Sequence, residues 1–477
     1  MQPNNNQSFF QENKTGIIIS SIAIIIFIIL LFVLFFNNKN TNNTNNGNLS
    51  QNSGFSFSNL FSLNSTNNKN SNNKTINNNN NTNEQNNPNT QIGYFTEGLL
   101  KVWSEPVAGY GFYYSQYTYN YTDSNNNTKT ATDTKTTLIF VDSKTGYIYE
   151  KNLLDPTSTP VQITDSSYPN IYKAYFINDS NGNKSKVVMQ YLDGQKIKSF
   201  IAKIPTYTGL TSSLSNITNL PDNVSFINTS SNNKYLVYIV SKNKTTNGKK
   251  DFYSDWYLIN NSDLDYGNRI YTSELTDWKL NITSTGQIYA FNTDTSHEIS
   301  NLYKLNSNNQ NTLGLLNKIY TGNTGTSFLL NSNNIFISMN TGDGLKSFIS
   351  NNNSTGNISL NNINFSTLSN KCALSDSSDK LIICGVPKEI KNYDSGIPDA
   401  WYQGFTSWDD NLYVINNDYQ SGSLLFDVNK DASIFDSIDM KNLKINNTNS
   451  HLGFINKNDG SLWTLNIENI LNPQVGD

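Results

Sequence analysis

The chain opens with one apolar block and then changes character. Residues Ile17 to Phe36 read IIISSIAIIIFIILLFVLFF, without charge and with only Ser20 and Ser21 as polar interruptions. At about 1.5 Å rise per residue such a stretch spans roughly 30 Å as a helix, the thickness of a bilayer's hydrocarbon core. A buried helix of a soluble domain would keep a polar stripe, and this segment has none. A cleaved signal peptide is the stronger competitor, but the flank MQPNNNQSFFQENKTG is barely basic and FFNNKN offers no small-residue cleavage site. The pattern predicts an uncleaved transmembrane helix over 17–36 after a short tail, 1–16. From Asn37 to about Thr90 the chain is nearly all Asn, Ser, Thr and Lys, broken only by Phe55, Phe57, Leu60, Phe61 and Leu63. So polar a segment cannot bury enough apolar surface to offset the entropy of ordering, which predicts a disordered Asn-rich linker over 37–91.

Beyond it the pattern is one of short apolar blocks. TTLIFVD, KVVMQYL, KYLVYIV, QIYAFN, NIFISMN, KLIICGV and SLWTLNI are each a few residues long, β-branched or aromatic, and bounded by Asn, Asp, Gly or Ser. That is a strand pattern, and no helical period competes with it. The blocks recur behind a polar turn: TSSNNKYLVYIV from Thr229, TSTGQIYAF from Thr283, NSNNIFIS from Asn331, SDSSDKLIIC from Ser375 and NTNSHLGFI from Asn447. The second strands begin near Lys186, Lys234, Gln287, Ile335, Lys380 and His451, in steps of 48, 53, 48, 45 and 71. A repeat near that length, with four strands per unit, is the mark of a propeller blade, and the long last step holds an insertion. The fold class is therefore all-β: a seven-bladed β-propeller over 92–477, with six or eight blades left open by the spacing. Blades start near Gly109, Ile171, Asn223, Asp277, Gly325, Asn370 and Met440. The last shows three clear strands, and Leu99 to Ser104 is the candidate for its missing outer strand, which would close the ring.

The turn-then-strand unit resembles the WD-like, TolB-type propeller repeat, whose Ser-Pro-Asp-Gly-Lys turn stands here as Ser-Asn-Asn-Lys, Ser-Thr-Gly-Gln and Ser-Ser-Asp-Lys. More specifically, SEPVAGYGFYY with TTLIFVDSKTGYIYEKNL, NKCALSDSSDKLIICGVPK and IPDAWYQGFTSWDDNLYVIN resemble membrane-anchored propeller proteins of unknown function from candidate-phyla bacteria. The likeness runs from about Gly98 to Ile467. It implies a fold and carries no activity with it.

Composition changes the picture in three places. Arg269 is the only arginine and the net charge is −4, so the bidentate phosphate and guanine contacts of nucleic-acid binders are missing and no nucleic-acid partner is expected. Abundant Asn makes the many N-x-S/T triplets chance events, weak as signs of glycosylation. The only cysteines, Cys372 and Cys384, flank one turn, ALSDSSDKLII, so a hairpin centred near Ser378 sets them opposite each other and predicts a disulfide. A disulfide favours a compartment outside the cytoplasm. Charge around the helix is silent on orientation: Glu12 and Lys14 stand on one side, Lys39 on the other. The short tail and the large domain favour a cytoplasmic N-terminus and an extracytoplasmic propeller on a single-pass anchor in the plasma membrane.

Candidate chemistry concentrates in PKEIKNYDSGIPDAWYQGFTS, Pro387 to Ser407, which interrupts the sixth blade on the face that carries the blade connections. Trp401, Tyr402, Gln403, Trp408, Asp409 and Asp410 form the candidate binding surface, fit to stack on a sugar or anchor an envelope protein. The plainer alternative is that the aromatics pin the long loop to its blade. Lys242 to Lys250, KNKTTNGKK, is a basic loop of the third blade, solvated or drawn to an anionic surface. Neither histidine, His297 or His451, sits in a triad, metal or dinucleotide motif, and no cofactor or metal is expected. An envelope polysaccharide hydrolase would have to use paired carboxylates among Asp394, Asp399, Asp409 and Asp410. The leading expectation is a binding module.

Overall fold

The computed structural model describes residues 95–96 and 98–471, except 125, 247–248, 261–265, 293, 307–313, 352–357, 376, 378–380, 391–395, 416–420 and 429–436. All lie in the unit Gln85–Asp477. The expected tail (1–16), membrane helix (17–36) and linker (37–91) lie outside the described residues. Among the described residues no helix is long and apolar enough to cross a membrane.

The strands fall into seven antiparallel sheets, six of them running outward in chain order. Their first strands begin at Val107, Ile171, Val224, Lys279, Ser327, Cys372 and Met440, within about two residues of the starts expected from the repeat. Successive first strands touch one another around a central axis. The ring closes where Tyr110 of the first blade donates its hydroxyl to the Asn442 carbonyl at 2.6 Å and Lys444 Nζ donates to the Tyr110 carbonyl at 3.1 Å. This is a seven-bladed β-propeller. Among the described residues the helical elements are single turns, at Ser369–Lys371, Asp399–Tyr402 and Glu468–Leu471.

Each sheet is covered on both faces by its two neighbours in the ring, which is why strands such as Ile382–Pro387 and His451–Asn456 are buried along their whole length. The hydrophobic clusters follow: one joins Ile383 and Leu412 of the sixth blade to Leu452 and Phe454 of the seventh, another joins Val237 and Trp256 of the third to Leu280 and Ala290 of the fourth.

The seventh blade is completed from the other end of the domain. Leu99–Trp103 pairs antiparallel with Leu462–Asn466, Leu99 opposite Leu465 and Lys101 opposite Trp463, and Phe95–Thr96 adds a short fifth strand outside it. Trp103 then donates its indole N–H to Asp142 of the first blade at 3.0 Å.

The polar turns behind the first strands have a structural task. Buried asparagines reach across to the next blade: Asn281 Nδ2 donates to the Phe328 carbonyl at 3.2 Å and Asn331 Nδ2 to the Ser375 carbonyl at 2.8 Å. Asn178 does the same backward, to the Phe112 carbonyl at 2.9 Å. Within the turns Asn233 and Asn449 take positive φ, 55° and 58°, a conformation Asn tolerates better than most residues. In the sixth blade Cys372 stands directly opposite Cys384, and the two form a disulfide.

If closure by Leu99–Trp103 holds the ring together, a domain starting at Ser104 should be much weaker than one starting at Gln91. Exposing Leu99, Leu100 and Val102 forfeits roughly 5 kcal/mol. Thermal melts and sedimentation of the two should show a lower Tm and aggregation for the shorter one; identical behaviour would show that the outer strand is dispensable.

Candidate functional site

The insertion leaves the second strand of the sixth blade at Pro387 and returns to its third at Asp410. In an antiparallel blade this places it on the face that also carries the connections between blades. From Gly396 it forms a helical turn: Ala400 N–H donates to the Gly396 carbonyl at 3.0 Å and Gln403 N–H to the Asp399 carbonyl at 2.9 Å. Gly404, at φ 83°, reverses the chain, and the amides of Phe405 and Thr406 both return to the Ala400 carbonyl, at 2.9 and 3.1 Å. Trp401 and Trp408, each 4% exposed, lie stacked with ring centroids 6.2 Å apart. They pack with Leu345, Leu368 and Ile397 in one apolar cluster.

Against that cluster sits a buried ion cluster. Lys371, at 0% exposure, pairs with Asp410 at 2.6 Å and with Asp439. Its ammonium also stands 5.1 Å from the centre of the Trp401 ring and 5.2 Å from that of Trp408. Asp439 accepts the Trp401 indole N–H at 2.9 Å, the Ser407 hydroxyl at 3.1 Å and the Trp408 amide at 3.1 Å, and Lys457 approaches it at 3.6 Å. Asp410 Oδ2 accepts the Met440 amide at 2.7 Å, while its Oδ1 has no hydrogen-bond partner. Burial pushes the Asp410 carboxyl up to about 6; Lys371 pulls it down and Asp439 pushes it further up. Buried charges survive only when paired this closely. The cluster ties the insertion and the start of the sixth blade to the start of the seventh.

No protein-family model matches the chain, and no curated protein is similar to it. Solved structures resemble its fold at low identity. The β-propeller domain of the Trilobed protease from Pyrococcus furiosus is 10% identical, over 71% of this chain and all 100% of that one, with a TM-score of 0.37. The Cps50 (Swd1) β-propeller domain from Myceliophteria thermophila is 10% identical over 69% of this chain and 80% of that one, with a TM-score of 0.30. A puromycin-hydrolyzing peptidase from Mycobacterium tuberculosis is 9% identical over 74% of this chain, at a TM-score of 0.40, and the chain spans only 61% of its length.

The expected surface of exposed aromatics is corrected. Trp401, Trp408 and Asp410 face inward, so the insertion's tryptophans pin the loop rather than offer a stacking plane. Tyr402 is half-buried, accepts from Asn370 Nδ2 at 3.0 Å and lies 4.8 Å from the Lys279 ammonium. Burial first, and the Asp294 charge second, push its phenol well above the ordinary value. Asp409 pairs with Lys388 at 3.2 Å. Asp399 accepts from the Ser296 amide and hydroxyl at 3.0 and 2.8 Å, which ties the insertion to the fourth blade. Asp394 lies outside the described residues. Gln403 is exposed. Sequence reasoning missed Lys371 and Asp439, 68 positions apart and in no motif, and Phe405, at 82% the most exposed apolar side chain among the insertion's described residues. The basic loop of the third blade is the end of a hairpin in which Lys242 pairs with Asp255 at 2.6 Å, while Lys249 and Lys250 stay exposed. His451 is buried, its Nδ1 2.9 Å from Ser450 Oγ, and burial pushes its ring down to about 4. Among the described residues no group of three or more His, Cys, Asp or Glu could hold a metal ion.

Removing the shared cation should be worse than removing one anion. Lys371→Met leaves two buried carboxylates without their ammonium and should cost about 3–5 kcal/mol in a urea titration, whereas Asp410→Asn leaves a matched pair and should cost less. The reverse order would show that Lys371 does not neutralise both.

The pH dependence follows from the two shifted groups. Asp410 titrates about 6 when folded and ~3.9 when unfolded. The folded state therefore holds the extra proton, and this group's contribution falls as pH rises through that window. His451, about 4 folded and ~6.5 unfolded, works the other way: the unfolded state holds the proton, and stability rises with pH. The stability difference, Asp410→Asn minus wild type, should climb from pH 4 to 6, and that for His451→Gln should fall from pH 4 to 6.5. Flat difference curves would remove both groups from the linkage.

Proposed function

We propose that this protein is a single-pass membrane protein that presents its propeller outside the cytoplasm as a binding module for an envelope component. The observation that carries the binding reading is Phe405. A large aromatic that is 82% exposed, on a turn fixed by two hydrogen bonds to the Ala400 carbonyl and flanked by exposed Gln403, is a pre-organised contact point. The insertion beneath it is anchored by buried tryptophans and ion pairs, so little entropy is lost when a partner seats on it. The apolar segment 17–36 supports the anchor, and the Cys372–Cys384 disulfide supports an oxidising compartment. A hydrolase built on the insertion's carboxylates finds no support, because Asp399, Asp409 and Asp410 each already serve a structural partner.

The test is retention of tagged full-length protein on its own cell-envelope fraction, comparing wild type with Phe405→Ser. Loss of roughly 2 kcal/mol at one central aromatic corresponds to about a thirtyfold weaker interaction. The variant should wash off at a concentration that leaves wild type bound. Equal retention would remove Phe405 as the contact, and no retention of either would remove the binding reading.

A further inference from the structure

A second concave surface lies away from the insertion, between the third and fourth blades. It is an open groove of about 660 Å³ where the outer strand of the third blade, Asn268–Ser273, hands over to the fourth. Its aromatic wall is a connected set of rings. Trp278, 7% exposed, donates its indole N–H to Ser273 Oγ at 2.8 Å and cannot turn. Tyr303 packs edge-on against it at 5.4 Å, and Trp256 joins it at 5.3 Å on one side and Tyr271 at 4.6 Å on the other. Tyr271 and Tyr303 line the groove half-exposed. Packing fixes these two phenol rings before any ligand arrives.

The polar groups around these rings are unspent. Asn301 stands two residues before Tyr303 on the strand Ile299–Asn306, so both point to the same side. Its backbone amide is held by Asn292 Oδ1 at 2.7 Å, but its carboxamide has no hydrogen-bond partner among the described residues. The Glu274 carboxylate, on the blade connection, has none either. The hydroxyls of Tyr271 and Tyr303 are likewise without partners among the described residues. Among the described residues no lysine or arginine lines the groove.

We propose that this groove binds a neutral saccharide. A sugar ring has an apolar C–H face that packs on an aromatic side chain, and a rim of adjacent hydroxyls that act as donors and acceptors at once. A planar carboxylate and a planar carboxamide beside half-exposed tyrosines offer the complementary set. An apolar wall with a few convergent polar groups is the usual composition of a small-ligand site. An anionic ligand is disfavoured by Glu274 without a compensating cation. A quaternary ammonium would need ring faces converging on one point, and the Trp278 face is covered by its neighbours. The site is independent of the Phe405 turn, so either can fail without the other.

The test uses the purified full-length protein in detergent, titrated calorimetrically with cellotetraose, maltotetraose, triacetylchitotriose and, as the cationic control, choline. At least one neutral oligosaccharide should bind with a dissociation constant below roughly 1 mM. Asn301→Ala and Glu274→Gln should each weaken that binding about tenfold, a 1.4 kcal/mol change, without moving the melting temperature. Tyr303→Phe keeps the packing and should weaken it less than Tyr303→Ala. Failure of all three sugars, sugar binding indifferent to Asn301 and Glu274, or binding of choline alone would each overturn the proposal.

Discussion

The structure depends on closing a ring of sheets. Every blade is stable because both of its faces are covered, and each is covered only while the circle is complete. The seventh blade lacks an outer strand of its own, and Leu99–Trp103 supplies it by pairing with Leu462–Asn466. Closure at the rim is matched by closure at the axis, where Tyr110 and Lys444 join the first blade to the seventh. The joint therefore consists of two layers far apart in the sheet, and slippage in one is opposed by the other. The connection between them is short, from Trp103 to Val107, and Trp103 itself is hydrogen-bonded to Asp142, so the outer strand is tied to the first blade as well.

Ring geometry also explains the cost accepted at the sixth blade. Three charges at zero exposure are expensive, and replacing such a set by apolar side chains often stabilises a protein. What Lys371, Asp410 and Asp439 provide is direction. Asp439 collects the Trp401 indole, the Trp408 amide and the Ser407 hydroxyl, so only one placement of the insertion satisfies it. A loop of more than twenty residues pinned by apolar contact alone could settle in several ways; hydrogen-bonded to a buried carboxylate, it has one. The rigidity of the Phe405 turn follows from that choice.

Strand positions and ring closure were legible in the sequence because they rest on local patterns: a two-residue period, a polar turn, a repeat. The start expected near Asn223 falls at Val224, and the Cys372–Cys384 pair follows from the symmetry of one hairpin. The inward turn of Trp401 and Trp408 was one of two readings the sequence left open, since an aromatic beside Asp and Gln reads alike whether it pins a loop or faces solvent. Its cause is Asp439, which no spacing links to the insertion. The groove was hidden, because Tyr271 and Tyr303 sit on different blades and only the ring brings them together.

The abundance of asparagine has a further physical consequence. The abundance of Asn, on which the expectation of a linker over 37–91 rests, is tolerated within the ring because the propeller has two uses for that side chain. One is conformational: Asn170, Asn223, Asn233, Asn442 and Asn449 all take positive φ, a region that glycine and, among side-chain-bearing residues, asparagine adopt most readily. The other is adhesive: Asn178, Asn281 and Asn331 spend a carboxamide donor on the backbone of an adjacent blade. The positive-φ positions are turns, strand approaches and, at Asn442, the irregular stretch within Met440–Ile445, while the three adhesive asparagines sit on or just after inner strands. At these positions asparagine supplies hydrogen bonds where a β-propeller needs them rather than packing, and a residue unsuited to an apolar layer is buried with its carboxamide donating to the backbone of an adjacent blade.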